Sequence, residues 1–127
     1  IMGYEDCFHP QSLENVITAL GAQQVDFAWK RKCCGFHAFW TAEADVMKVT
    51  GQAVDSAVKA GAEVVVTPCP LCQMQLDMYQ PEGREAAKTN AELPILHLPQ
   101  LIGLALGLTK EELGLARHIS ATAKLKI

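Results

Sequence analysis

Five cysteines constrain this chain more than any other feature. They fall as Cys7, the adjacent pair Cys33-Cys34, and Cys69 and Cys72 in a Cys-Pro-Leu-Cys turn, giving the spacing C-x25-C-C-x34-C-x2-C. Thiolates are the soft ligands that iron–sulfur clusters, zinc and copper(I) choose. Two vicinal thiols reach one metal centre, or two neighbouring irons, while their short separation does not suit an easy disulfide. An odd cysteine count with a vicinal pair fits a reducing cytoplasm and metal ligation better than a disulfide framework. The pattern points to a metal or redox centre.

At 127 residues the chain makes one compact domain able to bury a core without staples. Net charge is −3 with no basic run, which argues against a nucleic-acid partner. The longest apolar stretches, such as residues 101–108, are too short to span a bilayer, and no signal peptide is visible. A cytoplasmic location is therefore expected. The opening Ile1-Met2 is read as the start of a piece of something longer.

Ser12 precedes the stripe Leu13, Val16, Ile17 and Leu20, and Gly21 closes it, which predicts a short amphipathic helix capped by Ser12. In residues 24–29, Val25, Phe27 and Trp29 alternate, which predicts a strand. A longer helix follows from a cap at Thr41 to Gly61. Residues 63–67 hold Val64-Val65-Val66, as expected of a strand buried on both faces. It stops at Pro68, and Cys69-Pro70-Leu71-Cys72 opens the next helix with Pro70 in its first turn. Residues 80–92 are polar, contain Pro81-Glu82-Gly83 and read as a surface loop. A third strand is expected at 94–98 and an apolar helix at 99–108, with a capping box from Thr109 to Glu112 opening another. This alternation predicts an α/β fold, a parallel sheet flanked by helices. Ligands of such sheets sit beyond the carboxyl ends of the strands, where both cysteine pairs would lie.

Cys72, and to a lesser degree Cys69, would start a helix whose positive end favours the thiolate. Lys30, Arg31 and Lys32 would add positive charge beside Cys33-Cys34, and Gly35 lets backbone curl there. His37 reads as a ligand, a proton donor to a leaving thiolate, or a bystander. His9, beside Cys7, reads as a loop residue, and His97 and His118 as structural or solvent-facing. Met74 and Met78 are expected as core filler. Asp77 and Gln73 would give their helix its polar face. Trp29, Phe36, Phe39 and Trp40 bracket the vicinal pair, as a dry wall in preference to a partner-facing patch. Two rivals to a redox centre stand beside it. One is a structural Zn2+ site on four cysteines. The other is a metal-free thiol switch on Cys69 and Cys72, which leaves the vicinal pair unexplained.

Cys33-Cys34-Gly35, the Thr-Pro-Cys-Pro-Leu-Cys-Gln-Met-Gln-Leu-Asp-Met-Tyr run at 67–79 and the Ser-Leu-Glu-Asn-Val-Ile-Thr-Ala-Leu-Gly-Ala run at 12–22 resemble the cysteine-rich CCG domain of the B-type subunits of heterodisulfide reductase. Related modules occur in thiol:fumarate reductases, glycolate oxidase iron–sulfur subunits and the heterodisulfide-reductase-like complexes of bacterial sulfur oxidisers. The resemblance implies an oxidoreductase subunit with a noncubane [4Fe-4S] cluster on five cysteines. Cys33, Cys34, Cys69 and Cys72 would be ligands, with Cys7 a weaker fifth or the true first ligand upstream of Ile1. The implied reaction is reductive cleavage of a disulfide, or its reverse, with His37 as candidate proton donor. Electrons would come from the iron–sulfur electron-transfer partner of such complexes, their C-type subunit, and the substrate would be a disulfide or sulfur carrier. Such modules occur in pairs, so residues 1–127 are expected to be the C-terminal half of a longer two-module subunit.

Overall fold

The computed structural model describes residues 5–125. Helix α1 (Ser12–Ala19) is followed by an extended stretch and the cysteine loop, then α2 (Glu43–Lys59), β1 (Val65–Thr67) and α3 (Pro70–Met78). Helix α4 (Gln80–Ala87), β2 (Ile95–His97) and α5 (Leu98–Ala105) complete the regular elements. β1 and β2 pair in parallel, with Val65 opposite Ile95 and Thr67 opposite His97. Parallel pairing requires a crossover, and α3 with α4 provides it. Successive strand residues face opposite ways. Ile95 thus joins Val54, Ala57, Leu76 and Leu93 in one core, while Leu96 joins Leu115 and Leu125 in another. The result is a single small domain of helices about a parallel sheet, as the α/β pattern predicts.

Several expectations change. Residues 22–27 form no strand, because no described segment lies against them to complete a ladder. Val64, Val65 and Val66 are only half-buried, since among the described residues β1 has a neighbouring strand on one side alone. The stretch read as a loop from residue 80 opens as helix α4, with Pro81 in its first turn. Its Gly83 is a contact residue: α2 crosses so closely that a Cβ on Gly51 would collide with the Gly83 carbonyl. The box of Thr109 and Glu112 forms, Thr109 N–H donating to Glu112 Oε2 at 2.8 Å. It opens only a turn, because Gly114 takes a left-handed φ of +66° and ends the run.

Asp77 is not an exposed helix face. It is buried, accepting hydrogen bonds from Ile119 N (3.1 Å), Ser120 N (3.0 Å) and the Ser120 hydroxyl. His118 is structural, as expected. Gln100 Nε2 lies 2.9 Å from its Nε2, and its Nδ1 lies 3.4 Å from Asp77 Oδ1. Met78 is exposed and fills no core, whereas Met74 is half-buried.

Candidate metal centre

Two stretches of backbone deliver the clustered thiols. The first is the loop after Trp29. Gly35 adopts φ +82°, a left-handed conformation natural to glycine, and turns the chain so that its own N–H donates to Cys33 Sγ at 3.4 Å. Cys34 is thereby buried against the body of the domain and Cys33 stays exposed. The second is the exit of β1. The Thr67 hydroxyl accepts the Cys69 N–H at 3.2 Å, and Cys69 takes the extended N-cap conformation before Pro70 begins α3. His97, at the end of β2, holds this turn through a 3.1 Å hydrogen bond to the Pro68 carbonyl. No local pattern signals that role, because the partner lies 29 residues away.

Cys34 and Cys69 both lie near enough to Cys72 to act on its thiol, so these three sulfurs are neighbours. Cys33 lines the same cavity of about 120 Å³ as Cys34 and Cys72, together with Lys30, Lys32 and Thr67. Cys33 Sγ faces outward, 3.8 Å from the Nδ1 of exposed His37. Cys7 lies in an exposed loop and does not line this cavity. Among the described residues, no three His, Cys, Asp or Glu side chains are set as a finished metal site. The donors fit a thiophilic metal by chemistry, as soft thiols gathered in one part of the domain.

Electrostatics divide the CxxC pair in the opposite sense to the sequence expectation. The backbone N–H of Cys72, and less strongly that of Leu71, donate to Cys69 Sγ and hold its pKa below the ordinary thiol value. Burial, followed by the adjoining Cys34 and Cys69 sulfurs, pushes Cys72 up to about 12. The helix start therefore favours the thiolate at its cap, Cys69, because the first free N–H groups point there.

The basic run is also differently placed. Lys30 Nζ lies 3.0 Å and Arg31 Nη2 3.7 Å from Glu14 Oε1, a carboxylate tucked under α1. Burial alone would raise the Glu14 pKa, but the Lys30 hydrogen bond and the two cations outweigh it and hold the group below its usual range. Lys32 sits over the Trp29 ring, 4.7 Å from its centroid. The run is thus largely committed to structure, and Lys30 and Lys32 reach the cavity only as part of its wall. Phe36, Phe39, Trp40 and Tyr79 stack in a cluster, with Phe39 and Tyr79 centroids 4.9 Å apart. Trp40 is 79% exposed, so the cluster is an open apolar patch at that end and no closed wall.

The sequence model of the CCG cysteine-rich domain family matches residues 3–77, a span holding all five cysteines. The chain belongs to the CCG cysteine-rich domain family. It is 48% identical over 124 residues to the 8-methylmenaquinol:fumarate reductase membrane anchor subunit of Wolinella succinogenes, covering 98% of this chain and 44% of that protein. It is 32% identical over 117 residues to the B-type subunit of the ferredoxin:CoB-CoM heterodisulfide reductase of Methanosarcina mazei, covering 89% of this chain and 38% of that one. A protein of Archaeoglobus profundus described as like the B-type subunit of heterodisulfide reductase is 32% identical over 110 residues, covering 85% and 37%. This CCG domain thus spans less than half the length of each relative. None of its described helices is long and apolar enough to cross a membrane.

Proposed function

We propose that this CCG domain is an iron–sulfur redox module of a multi-subunit oxidoreductase, with Cys33, Cys34, Cys69 and Cys72 as cluster ligands. The observation that carries this reading is that Cys33, Cys34 and Cys72 line one cavity at the carboxyl end of β1, with Cys69 close enough to act on Cys72. The relatives named as heterodisulfide reductase subunits support a noncubane [4Fe-4S] cluster, which when bound supplies one-electron steps and an iron that a substrate sulfur can meet. The fifth ligand is Cys7, if its loop folds back, or a cysteine outside residues 1–127.

The chain's own groups then have defined tasks. Cleaving a disulfide to two thiols consumes two electrons and two protons. The electrons arrive from an iron–sulfur partner in a reducing, cytoplasmic setting. His37, with Nδ1 3.8 Å from Cys33 Sγ and its ring open to solvent, is placed to hand one proton to a leaving thiolate. The Phe36–Phe39 patch lowers the polarity beside that transfer. A second reading is electron relay without disulfide cleavage, favoured by the 48% identity to a subunit of a quinol:fumarate reductase.

Anaerobic isolation of the native complex, with iron, acid-labile sulfide and zinc measured on this polypeptide and electron paramagnetic resonance recorded, tests the proposal. Iron and labile sulfide are expected. One zinc per chain without iron would overturn the reading in favour of a structural Zn2+ site on the four cysteines. Turnover of a disulfide by the loaded complex separates cleavage from relay.

A further inference from the structure

A chain of side-chain hydrogen bonds runs behind the Cys69–Cys72 turn and meets it on either side. At one end stands His97, which the parallel register sets opposite Thr67. Its ring caps α5 by accepting the Gln100 N–H, and its Nε2 lies 3.1 Å from the Pro68 carbonyl. A carbonyl only accepts, so Nε2 carries the proton and Nδ1 is the acceptor. The Pro68–Cys69 peptide is thereby held on both edges, its oxygen by His97 and its N–H by the Thr67 hydroxyl at 3.2 Å.

Gln100 leads from His97 to the far end. Its Oε1 accepts the His97 N–H at 2.9 Å, and its Nε2 donates to the Leu113 carbonyl at 3.1 Å. Two backbone partners thus fix which way this amide points. The second hydrogen on Nε2 is directed at His118 Nε2, 2.9 Å away, which must be a bare acceptor. His118 therefore carries its proton on Nδ1, 3.4 Å from Asp77 Oδ1 and 3.4 Å from the Gln73 amide. Asp77 also receives the Ile119 and Ser120 N–H groups and the Ser120 hydroxyl, so every described partner of that carboxylate is a donor. Gln73, which directly follows Cys72, meets the same ring by turning its amide oxygen inward.

We infer that His97, Gln100 and His118 are positioning residues for the Cys69 and Cys72 thiols, His97 as the neutral Nε2–H tautomer and His118 as the neutral Nδ1–H tautomer. Gln100 is the hub, since its fixed amide dictates the protonation of one ring and caps onto the backbone of the other. The Pro68 end sets the backbone that presents Cys69. The Gln73 and Asp77 end sets the rotation of the helix that carries Cys72. Both rings are fully committed to these contacts. A second proton would set donor against donor, at the Gln100 N–H for His97 and at Gln100 Nε2 for His118. Neither ring therefore hands a proton to a thiol, which leaves that task in the reaction proposed above to His37 on the other arm. The brace itself does not depend on that reaction or on which metal the thiols hold.

Neutron diffraction from crystals of the native complex, exchanged into heavy water, locates the deuterons. They are expected on His97 Nε2 and His118 Nδ1, with His97 Nδ1 and His118 Nε2 bare. A deuteron on either bare nitrogen would overturn the inference, whether iron or zinc occupies the thiols. His97→Asn then separates bracing from capping, because asparagine still caps α5 but stops short of Pro68. Amide-resolved hydrogen exchange on the complex carrying that variant reads the Cys69 and Gln73 amides, which bond to the Thr67 hydroxyl and the Cys69 carbonyl. Both should exchange about tenfold faster than in the unmodified complex, with the α5 amides unchanged. Unchanged Cys69 and Gln73 amides, or an equal acceleration throughout α5, would reduce His97 to a helix cap and overturn its positioning role.

Discussion

The two arms that carry the clustered cysteines are built on different principles. The Cys69–Cys72 arm is organised locally. A strand ends, proline enters the helix, and free helix N–H groups fix the Cys69 sulfur, with Thr67 and His97 bracing the turn. The Cys33–Cys34 arm is an irregular loop that leads into a single 3-10 turn, Phe36–Ala38, packed against α2 and α3. It is further held by one left-handed glycine and by the ion pairs of Lys30 and Arg31 with Glu14. One arm is a preformed seat, and the other is a strap whose position depends on distant contacts. The movement needed to turn neighbouring thiols into a closed ligand set therefore falls mostly on the strap.

The largest expected effect tests whether the two arms serve one centre. Cys34→Ser and Cys72→Ser, one in each arm, should both reduce bound metal to background, while Cys7→Ser loses less. Metal quantification on the anaerobically isolated complex checks this. Equal loss in all three variants would make Cys7 a full ligand, and retention in Cys34→Ser would separate the arms.

Next in size is thiol reactivity in the reduced, metal-free domain. At pH 8 Cys72, pushed to about 12, is almost wholly thiol, while Cys69 is held low by the helix N–H groups. Iodoacetamide should modify Cys69 about a hundredfold faster than Cys72, read by peptide mass spectrometry over time. Comparable rates would remove the electrostatic division within the seat.

Gly35→Ala should come third. The added methyl meets only ordinary contact with Val46, at 3.5 Å, so the effect is the left-handed backbone itself. A loss of about 1–2 kcal/mol is expected in urea unfolding, with unchanged slope. Pro70→Ala on the other arm should change stability less.

The smallest effect concerns Glu14. Its folded pKa lies below the unfolded value of 4.5, so its stabilising contribution is present above that pH and fades as acid takes the pH through the folded pKa. Glu14→Gln should lower stability at pH 7 by about 1 kcal/mol and flatten its decline below pH 4.5. An unchanged acid limb would mean the strap does not depend on this carboxylate.

What can be read from the sequence follows the same division. The seat is legible because Val64–Thr67, Pro68 and Pro70 are neighbours that each act on the next. Around the strap, the alternation of Val25, Phe27 and Trp29 is visible, but pairing is a property of two segments and cannot be seen in one. Helix α4 is obscured because Gly83, ordinarily a loop signal, owes its identity to Gly51 on another helix. Asp77 escapes a local reading for a similar reason, as its partners lie 42 and 43 residues further on. The thiol spacing identifies the candidate cysteines, but not how Cys69 and Cys72 differ, since that depends on which sulfur the helix N–H groups reach.

The clamp of Asp77 on Ile119 and Ser120 has a consequence for the order of events during synthesis. Helix α3 carries Cys72 near its beginning and Asp77 near its end, roughly 8 Å apart along the axis. Until residue 120 has left the ribosome, that carboxylate lacks the two amides and the hydroxyl that satisfy it when buried. The helix bearing a candidate ligand thus settles only when nearly the whole domain has emerged. A metal or cluster meant for these thiols is best delivered after translation of the domain, to a chain whose last contacts have already closed behind its first ligands.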